Sequence, residues 1–150
     1  MSNLKQRVHD ACSESIRKKV RLLQTAIHEA QESANEETKS SAGDKYETGR
    51  AMAQLEIEKF ASQLAELQKQ EQELGRISSG LKDTRIGVGS LVRTSQGVFY
   101  IAVNVGEITV DGIKIFSVSP QAPVAAKMMG MAAAETFQLN GRSFAISGVE

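Results

Sequence analysis

The sequence predicts an α+β protein, in which an antiparallel pair of long helices precedes a small antiparallel sheet with one short helix. Two features of the sequence support this prediction. Apolar residues recur at alternating steps of three and four on both sides of a short polar break at residues 38–48, which is typical of two helices packed along one seam. After about residue 90 the pattern changes to short alternating runs separated by Asp-Gly and Asn-Gly pairs, which are turn signals between strands.

The first helix is predicted over residues 3–37. The apolar residues of its seam are Ile16, Val20, Leu23, Ile27, Ala30 and Ala34. The stretch from Leu4 to Cys12 is less regular, and we interpret it as a stutter that joins the later heptads.

The second helix is predicted to begin near Asp44 and to end at Gly75. Its seam consists of Ala53, Ile57, Phe60, Leu64, Leu67 and Leu74, with the charged Glu71 as an exception. Because the connection is short, the two helices are expected to run antiparallel. A pair of this length forms a rod on the order of 50 Å long. Since each seam has its partner in the same chain, we expect a monomer.

The predicted organisation has three parts. Residues 1–76 form the helical hairpin, an antiparallel coiled coil with its tip at 38–48, and residues 77–89 form a linker rich in glycine and serine. Residues 90–150 form the second domain. A domain of this size buries only about 60% of its extended surface, so we expect it to be modestly stable alone.

Six strands and one helix are predicted in the second domain. The strands are 91–94, 98–105, 108–110, 113–118, 136–139 and 142–147. Two-residue turns at Asp111-Gly112 and Asn140-Gly141 set the registers of two hairpins. The pairs expected to face each other are Ile108 with Ile115, and Phe137 with Phe144. Ser119-Pro120 predicts the start of a helix over 121–129, with serine as the N-cap and proline at the first helical position.

Composition and charge narrow the possible functions. Lysine and arginine number 18, as do aspartate and glutamate, so no net charge draws the chain to nucleic acid or membrane. No apolar stretch is long enough for a membrane span. Cys12 is the only cysteine, which is consistent with the cytoplasm and favours a packing role. His9 and His28 are far apart in sequence and suggest no metal site.

The charges of the first helix are ordered along its length. Four basic residues lie close together near its start: Arg17, Lys18, Lys19 and Arg21. From residue 22 to residue 37 there are four glutamates and no basic residue. The first arm therefore changes from basic to acidic toward the tip.

A helical hairpin of this length followed by a sheet domain resembles the Gre-type transcript cleavage factors of bacterial RNA polymerase, over nearly the whole chain. In that family the coiled-coil tip has a glycine followed by an Asp-x-x-Glu step, and Gly43-Asp44-Lys45-Tyr46-Glu47 matches it. The family usually continues with Asn-Ala-Glu-Tyr, whereas this chain has Thr48-Gly49-Arg50-Ala51.

The C-terminal part carries the second half of the resemblance. The FKBP-like domain of Gre factors has a Ser-Pro at the start of a helix, a turn with Lys and Gly, and a final hairpin that ends in an acidic residue. Ser119-Pro120, Lys127, Gly130 and residues 136–150 match this outline.

The resemblance implies a cytoplasmic factor that binds RNA polymerase and inserts its coiled coil into the secondary channel. The tip carboxylates of Asp44 and Glu47 would then be the catalytic and metal-binding residues. They would help to hold a second Mg²⁺, shared with the polymerase, for cleavage of backtracked RNA. The basic run Arg17, Lys18, Lys19 and Arg21 would lie along the path of the nascent RNA. The chain would stimulate the polymerase's own cleavage activity, with no enzyme activity expected of it alone.

Other interpretations fit the same residues. Asp44 with Glu47 is also a capping box, and the basic run is also a solvated helix face. A factor of this architecture could instead inhibit the polymerase or compete with Gre factors. A peptidyl-prolyl isomerase would need an apolar aromatic pocket, for which the candidates are Phe99, Tyr100, Phe116, Phe137 and Phe144. A structural coiled-coil adaptor is the remaining alternative.

Overall fold

A computed structural model describes residues 3–37, 43–78 and 84–150, without the side chains of residues 36, 37 and 43–47. The architecture is α+β, as predicted. Helices α1 (Leu4–Glu37) and α2 (Gly43–Gly75) begin and end within one residue of the predicted bounds. The remaining elements are β1 (Leu91–Thr94), β2 (Gly97–Ile101), β3 (Gly106–Val110), β4 (Ile113–Val118), α3 (Pro123–Met128), β5 (Thr136–Leu139) and β6 (Arg142–Val149).

Among the described residues, no helix has both the length and the apolar character required to cross a membrane.

The six strands form one sheet in the order β3-β4-β2-β1-β6-β5. Four of the neighbouring pairs are antiparallel, but β2 and β4 run parallel to each other. β3 forms a hairpin with β4 and lies at the edge of the sheet, beyond β4. Because β3 runs back toward the end of the sheet where β2 began, β4 then runs in the same direction as β2. The sheet is therefore mostly antiparallel, with one parallel pair that the sequence did not predict.

The two predicted hairpins are confirmed. The facing pairs are Ile108 with Ile115, and Phe137 with Phe144. The turn residues all have positive φ angles, which are 54° and 76° at Asp111 and Gly112 and 52° and 78° at Asn140 and Gly141. Two consecutive positive values are the signature of type I′ turns, whose twist matches that of the strands.

The start of the short helix differs from the prediction. Helix α3 begins at Pro123 rather than at residue 121, and Ala122 is its N-cap without a side-chain hydrogen bond. A residue before proline is pushed out of the helical region, and Ala122 is extended with φ −60° and ψ 144°. Ser119 is therefore not the cap, although its carbonyl accepts a hydrogen bond from the Ala122 amide.

The main core lies between one face of the sheet and α3. The buried residues of this cluster are Ile86, Val92, Phe99, Ile101, Ala125, Met128, Phe144 and Ile146. Ile86 lies within residues 77–89, which the sequence predicts as linker. Its amide donates to the Met131 carbonyl, and its own carbonyl accepts from the Gly130 amide. This part of the predicted linker is thus integrated into the fold.

The opposite face of the sheet is covered by the beginning of α1. Tyr100 lies between Phe99 and Ile101 on β2, so its side chain points away from the α3 core. Ser117 pairs with Tyr100 on the neighbouring strand and shares this face. Leu4, Val8 and Cys12, at steps of four on α1, are fully or almost fully buried. The spacing that we interpreted as a stutter is therefore a face of α1 that lies on the sheet.

Two compact units result from this arrangement. The helical unit is Ile16–Lys69, and the sheet unit combines Met1–Ser15 with Gln70–Glu150. From the sequence, the boundaries were predicted at residues 76 and 90, which assigned residues 1–15 and 70–76 to the coiled coil.

Candidate functional site

The predicted tip lies at the start of α2. The helix begins at Gly43, which places the backbone of Asp44 and Glu47 in its first two turns. Their side chains lie outside the described residues, as do residues 38–42. Residues three apart on a helix are neighbours on its surface, with about 5 to 6 Å between Cβ atoms. Negative charge is also stabilised near the first turn of a helix. The backbone amide groups of that turn have no partner within the helix and point toward such a charge.

Asp44 and Glu47 are near the first residue of the α2 segment that belongs to the helical unit. This segment ends at Lys69 and is continuous helix from Asp44 onward. At 1.5 Å per residue, it is about 38 Å long. The backbone of Asp44 and Glu47 therefore lies near one end of a long, continuous helix.

Within the helical unit, α1 and α2 lie side by side and enclose a groove of about 440 Å³. We call it the rod groove, and it is lined by Lys19, Leu22, Leu23, Gln63, Glu66 and Leu67. Residues 19–23 of α1 thus lie close to residues 63–67 of α2.

The basic run lies on the part of α1 that borders this groove. Arg17, Lys18, Lys19 and Arg21 are all exposed. Because consecutive helical residues point about 100° apart, the four side chains do not form a single patch. Lys19 faces the groove, whereas Arg17 and Arg21 are one turn apart on another side. The run therefore offers positive charge around much of the helix circumference.

A polar cluster joins the start of α1 to the sheet. The Nδ1 atom of His9 lies 2.7 Å from the Tyr100 hydroxyl, and their rings meet edge to face. The Ser117 hydroxyl donates to the Val103 carbonyl at 2.6 Å. The Ser117 hydroxyl also lies close to the Cys12 thiol. Each of these polar groups is satisfied at a buried helix-to-sheet contact, which is the arrangement expected of a structural anchor.

Burial shifts the pKa of three groups in this cluster. It lowers the pKa of His9, and nearby Asp10 acts in the opposite direction. Burial raises the pKa of the Cys12 thiol, and the nearby Ser117 hydroxyl partly offsets this rise. It also raises the pKa of Tyr100, with Cys12 and Asp10 adding to the effect. Each shift favours the neutral form of its group.

The edge of this contact carries an ion pair. The Arg7 guanidinium donates from Nε, at 2.8 Å, and from Nη2, at 2.5 Å, to the same Asp111 carboxylate oxygen. Both side chains are about half exposed. Asp111 belongs to the turn between β3 and β4, so this pair holds that hairpin to the first two turns of α1.

The aromatic residues considered for an isomerase pocket pack on one another instead. The Phe137 and Phe144 rings are stacked with centroids 4.7 Å apart, and Phe99 contacts both Phe144 and Phe116. Tyr100 faces the other side of the sheet, toward His9. The rings therefore fill the core and the α1 contact.

Sequence reasoning missed both the rod groove and the His9–Tyr100 contact. The groove depends on Leu22, which precedes the seam residue Leu23 and was not counted as part of the helical pair. The sheet contact had a visible signal, since apolar residues at steps of four from Leu4 to Ile16 depart from the alternating steps that follow. No signal in the sequence identified Tyr100 on β2 as the partner of His9, because the two residues are 91 positions apart.

In the part of the chain that the structure describes, no group of three or more His, Cys, Asp or Glu residues is placed to hold a metal ion. Comparison of the sequence with protein-family models gave no match, and comparison with curated proteins likewise gave none.

Proposed function

We propose that this protein is a cytoplasmic transcription factor of Gre type, which binds RNA polymerase and stimulates cleavage of backtracked RNA. The observation that carries the proposal is the position of Asp44 and Glu47 in the first two turns of α2, a helix of 33 residues. A slender helical pair suits entry into a channel, and the pair of carboxylates at its start supplies the chemistry. The sheet unit provides the docking surface.

The carboxylate pair fits Mg²⁺ by its donor chemistry. Mg²⁺ prefers hard oxygen ligands and is held by one or two carboxylates together with water and phosphate oxygens. Two carboxylates three residues apart would hold it weakly alone, so its remaining ligands would come from the polymerase and the RNA. A metal ion held there would activate water and neutralise charge on the scissile phosphate. Asp44 and Glu47 would be the residues of this chain that hold it.

The basic run supports the same function. Phosphate contacts require accessible positive charge, and Arg17, Lys18, Lys19 and Arg21 are exposed on α1. Their distribution around the helix suits contact with a flexible single strand. Aromatic residues for base stacking are not interleaved with them, so any contact would be independent of base sequence.

The decisive experiment is cleavage in a stalled, backtracked polymerase complex at limiting Mg²⁺. The double variant Asp44→Asn with Glu47→Gln keeps helix-capping ability but loses the anionic ligands. We expect it to fold and bind polymerase normally, while its stimulation of cleavage falls by at least about tenfold, equivalent to about 1.4 kcal/mol in the barrier.

The matched control removes two charges from the same helical pair at the same spacing. Glu29→Gln with Glu32→Gln changes exposed residues three apart on α1, and it should cleave like the wild type. Equal cleavage by the wild type and the Asp44/Glu47 variant would show that this pair only caps the helix. Polymerase binding without stimulation by either protein would instead favour a channel-binding inhibitor or competitor.

A further inference from the structure

One face of the helical unit carries large apolar side chains that the helical pair leaves uncovered. Met52 and Leu55 on α2 are each 66% exposed, and Leu22 on α1 is 62% exposed. None of these three residues belongs to the seam of its helix. Exposed leucine and methionine side chains are normal singly, but here they occur on the same face as an apolar groove.

The helical repeat places these residues on a common face. Met52, Leu55, Lys59, Gln63 and Glu66 follow one another on α2 at steps of three and four, so they form one stripe along the helix. Gln63 and Glu66 line the rod groove, together with Leu22 of α1. Met52 and Leu55 therefore project from the face that contains the groove, about 17 Å farther along α2.

We propose that this face binds a second copy of the chain, with the two helical units side by side and pointing in opposite directions. The twofold axis would pass near Lys59, halfway between the groove and the Met52–Leu55 pair. Each copy would then insert Met52 and Leu55 into the rod groove of the other. A twofold interface uses each contact twice, which is how a small patch gains stability.

The charges favour the opposite orientation over a parallel one. The exposed Lys18 and Lys19 lie at one end of the α1 segment in this unit, and the exposed Glu29 and Glu32 lie toward the other. Inversion brings the basic end of one copy alongside the acidic end of its partner, whereas parallel copies would place like charges together.

The expectation of a monomer was based on the seams alone. The proposed interface uses residues outside the seams and is small and rich in polar groups. Interfaces of this kind are weak and concentration-dependent. We therefore expect the 16.2 kDa chain to approach twice its mass at about 100 μM and to dissociate on dilution.

Sedimentation equilibrium of the full chain tests the assignment to this face. Leu55→Gln and Leu22→Gln should each weaken dimerisation by at least about tenfold, because each removes two buried leucines per dimer while glutamine preserves helix propensity. Val88→Gln is the matched control, since Val88 is 53% exposed but lies in the sheet unit. A monomer at all concentrations, or equal weakening by the control, would overturn the proposal.

Disulfide trapping tests the orientation. When Leu22→Cys and Leu55→Cys proteins are mixed and oxidised, the inverted arrangement predicts mainly mixed dimers that contain one of each. The native Cys12 is buried, so the wild type should give little cross-linking under the same conditions. A predominance of Leu22→Cys homodimers would exclude the inverted arrangement. Neither assay contains polymerase, so both outcomes are independent of the proposed cleavage function.

Discussion

Replacing Tyr100 with phenylalanine removes the hydroxyl group that meets His9 and leaves the aromatic ring in place. The hydrogen bond is 2.7 Å long and partly buried, and Tyr100 itself is fully buried. Losing a bond of this type costs about 0.5–1.5 kcal/mol, plus a penalty for the partner left unpaired. Since His9 retains some access to water, we expect a total near 1 kcal/mol. For a chain of this length, that lowers the melting temperature by about 3 °C.

Thermal unfolding followed by circular dichroism at pH 7.5 measures this loss. His9→Gln should destabilise the protein by a similar amount, and the double variant should lose less than the sum of the two, because both remove the same bond. Strict additivity, or a Tyr100→Phe protein as stable as the wild type, would refute the conclusion that this bond anchors α1 to the sheet.

The same contact predicts a pH dependence. Because burial lowers the pKa of His9 in the folded protein below its ordinary value of 6.5, the unfolded chain takes up the proton first as pH falls. The neutral His9 side chain contributes its full stabilisation above about pH 6.5. This contribution decreases as the pH falls from 6.5 toward the pKa of His9 in the folded protein. The His9→Gln protein should therefore lose less stability between pH 7 and pH 5 than the wild type.

Two further substitutions test the sheet unit by urea denaturation. Phe144→Ala removes a ring that is 7% exposed and stacked on Phe137, so it should cost about 3–5 kcal/mol; a loss below 1 kcal/mol would contradict the core assignment. Asp111→Asn keeps a turn-forming side chain but breaks the half-exposed ion pair with Arg7, and it should cost less than about 1 kcal/mol. A larger loss would show that this pair contributes more than an exposed ion pair does.

Local signals in the sequence were sufficient for the hairpins and the long helices. Asp111-Gly112 and Asn140-Gly141 specify both a turn type and a register, so the pairing of Ile108 with Ile115 follows from the turn residues alone. The start of α3 was mispredicted because Ser119-Pro120 resembles a helix start. The second proline, Pro123, overrides it by holding Ala122 extended.

The arrangement of the sheet could not be derived in this way. The parallel contact of β2 with β4 depends on which non-neighbouring strands pack together, and no residue pattern within either strand encodes it. The same applies to the contact of His9 with Tyr100, since the two residues are far apart in sequence. For the candidate site, the sequence supplied the spacing of Asp44 and Glu47, and the structure adds their position near the start of a continuous helix.

The attachment of α1 to the sheet has a consequence for biosynthesis. A ribosome makes the N-terminal helix first, and its apolar residues Leu4, Val8 and Cys12 emerge long before the strands that cover them. The helical pair can form early from contacts near in sequence, but the first turns of α1 must wait for β2 and for β4, whose hairpin carries Asp111, 104 residues after its partner Arg7. Until those strands are made, the apolar residues at the start of α1 lack the sheet that covers them in the folded protein, and exposed apolar surface of this kind promotes aggregation.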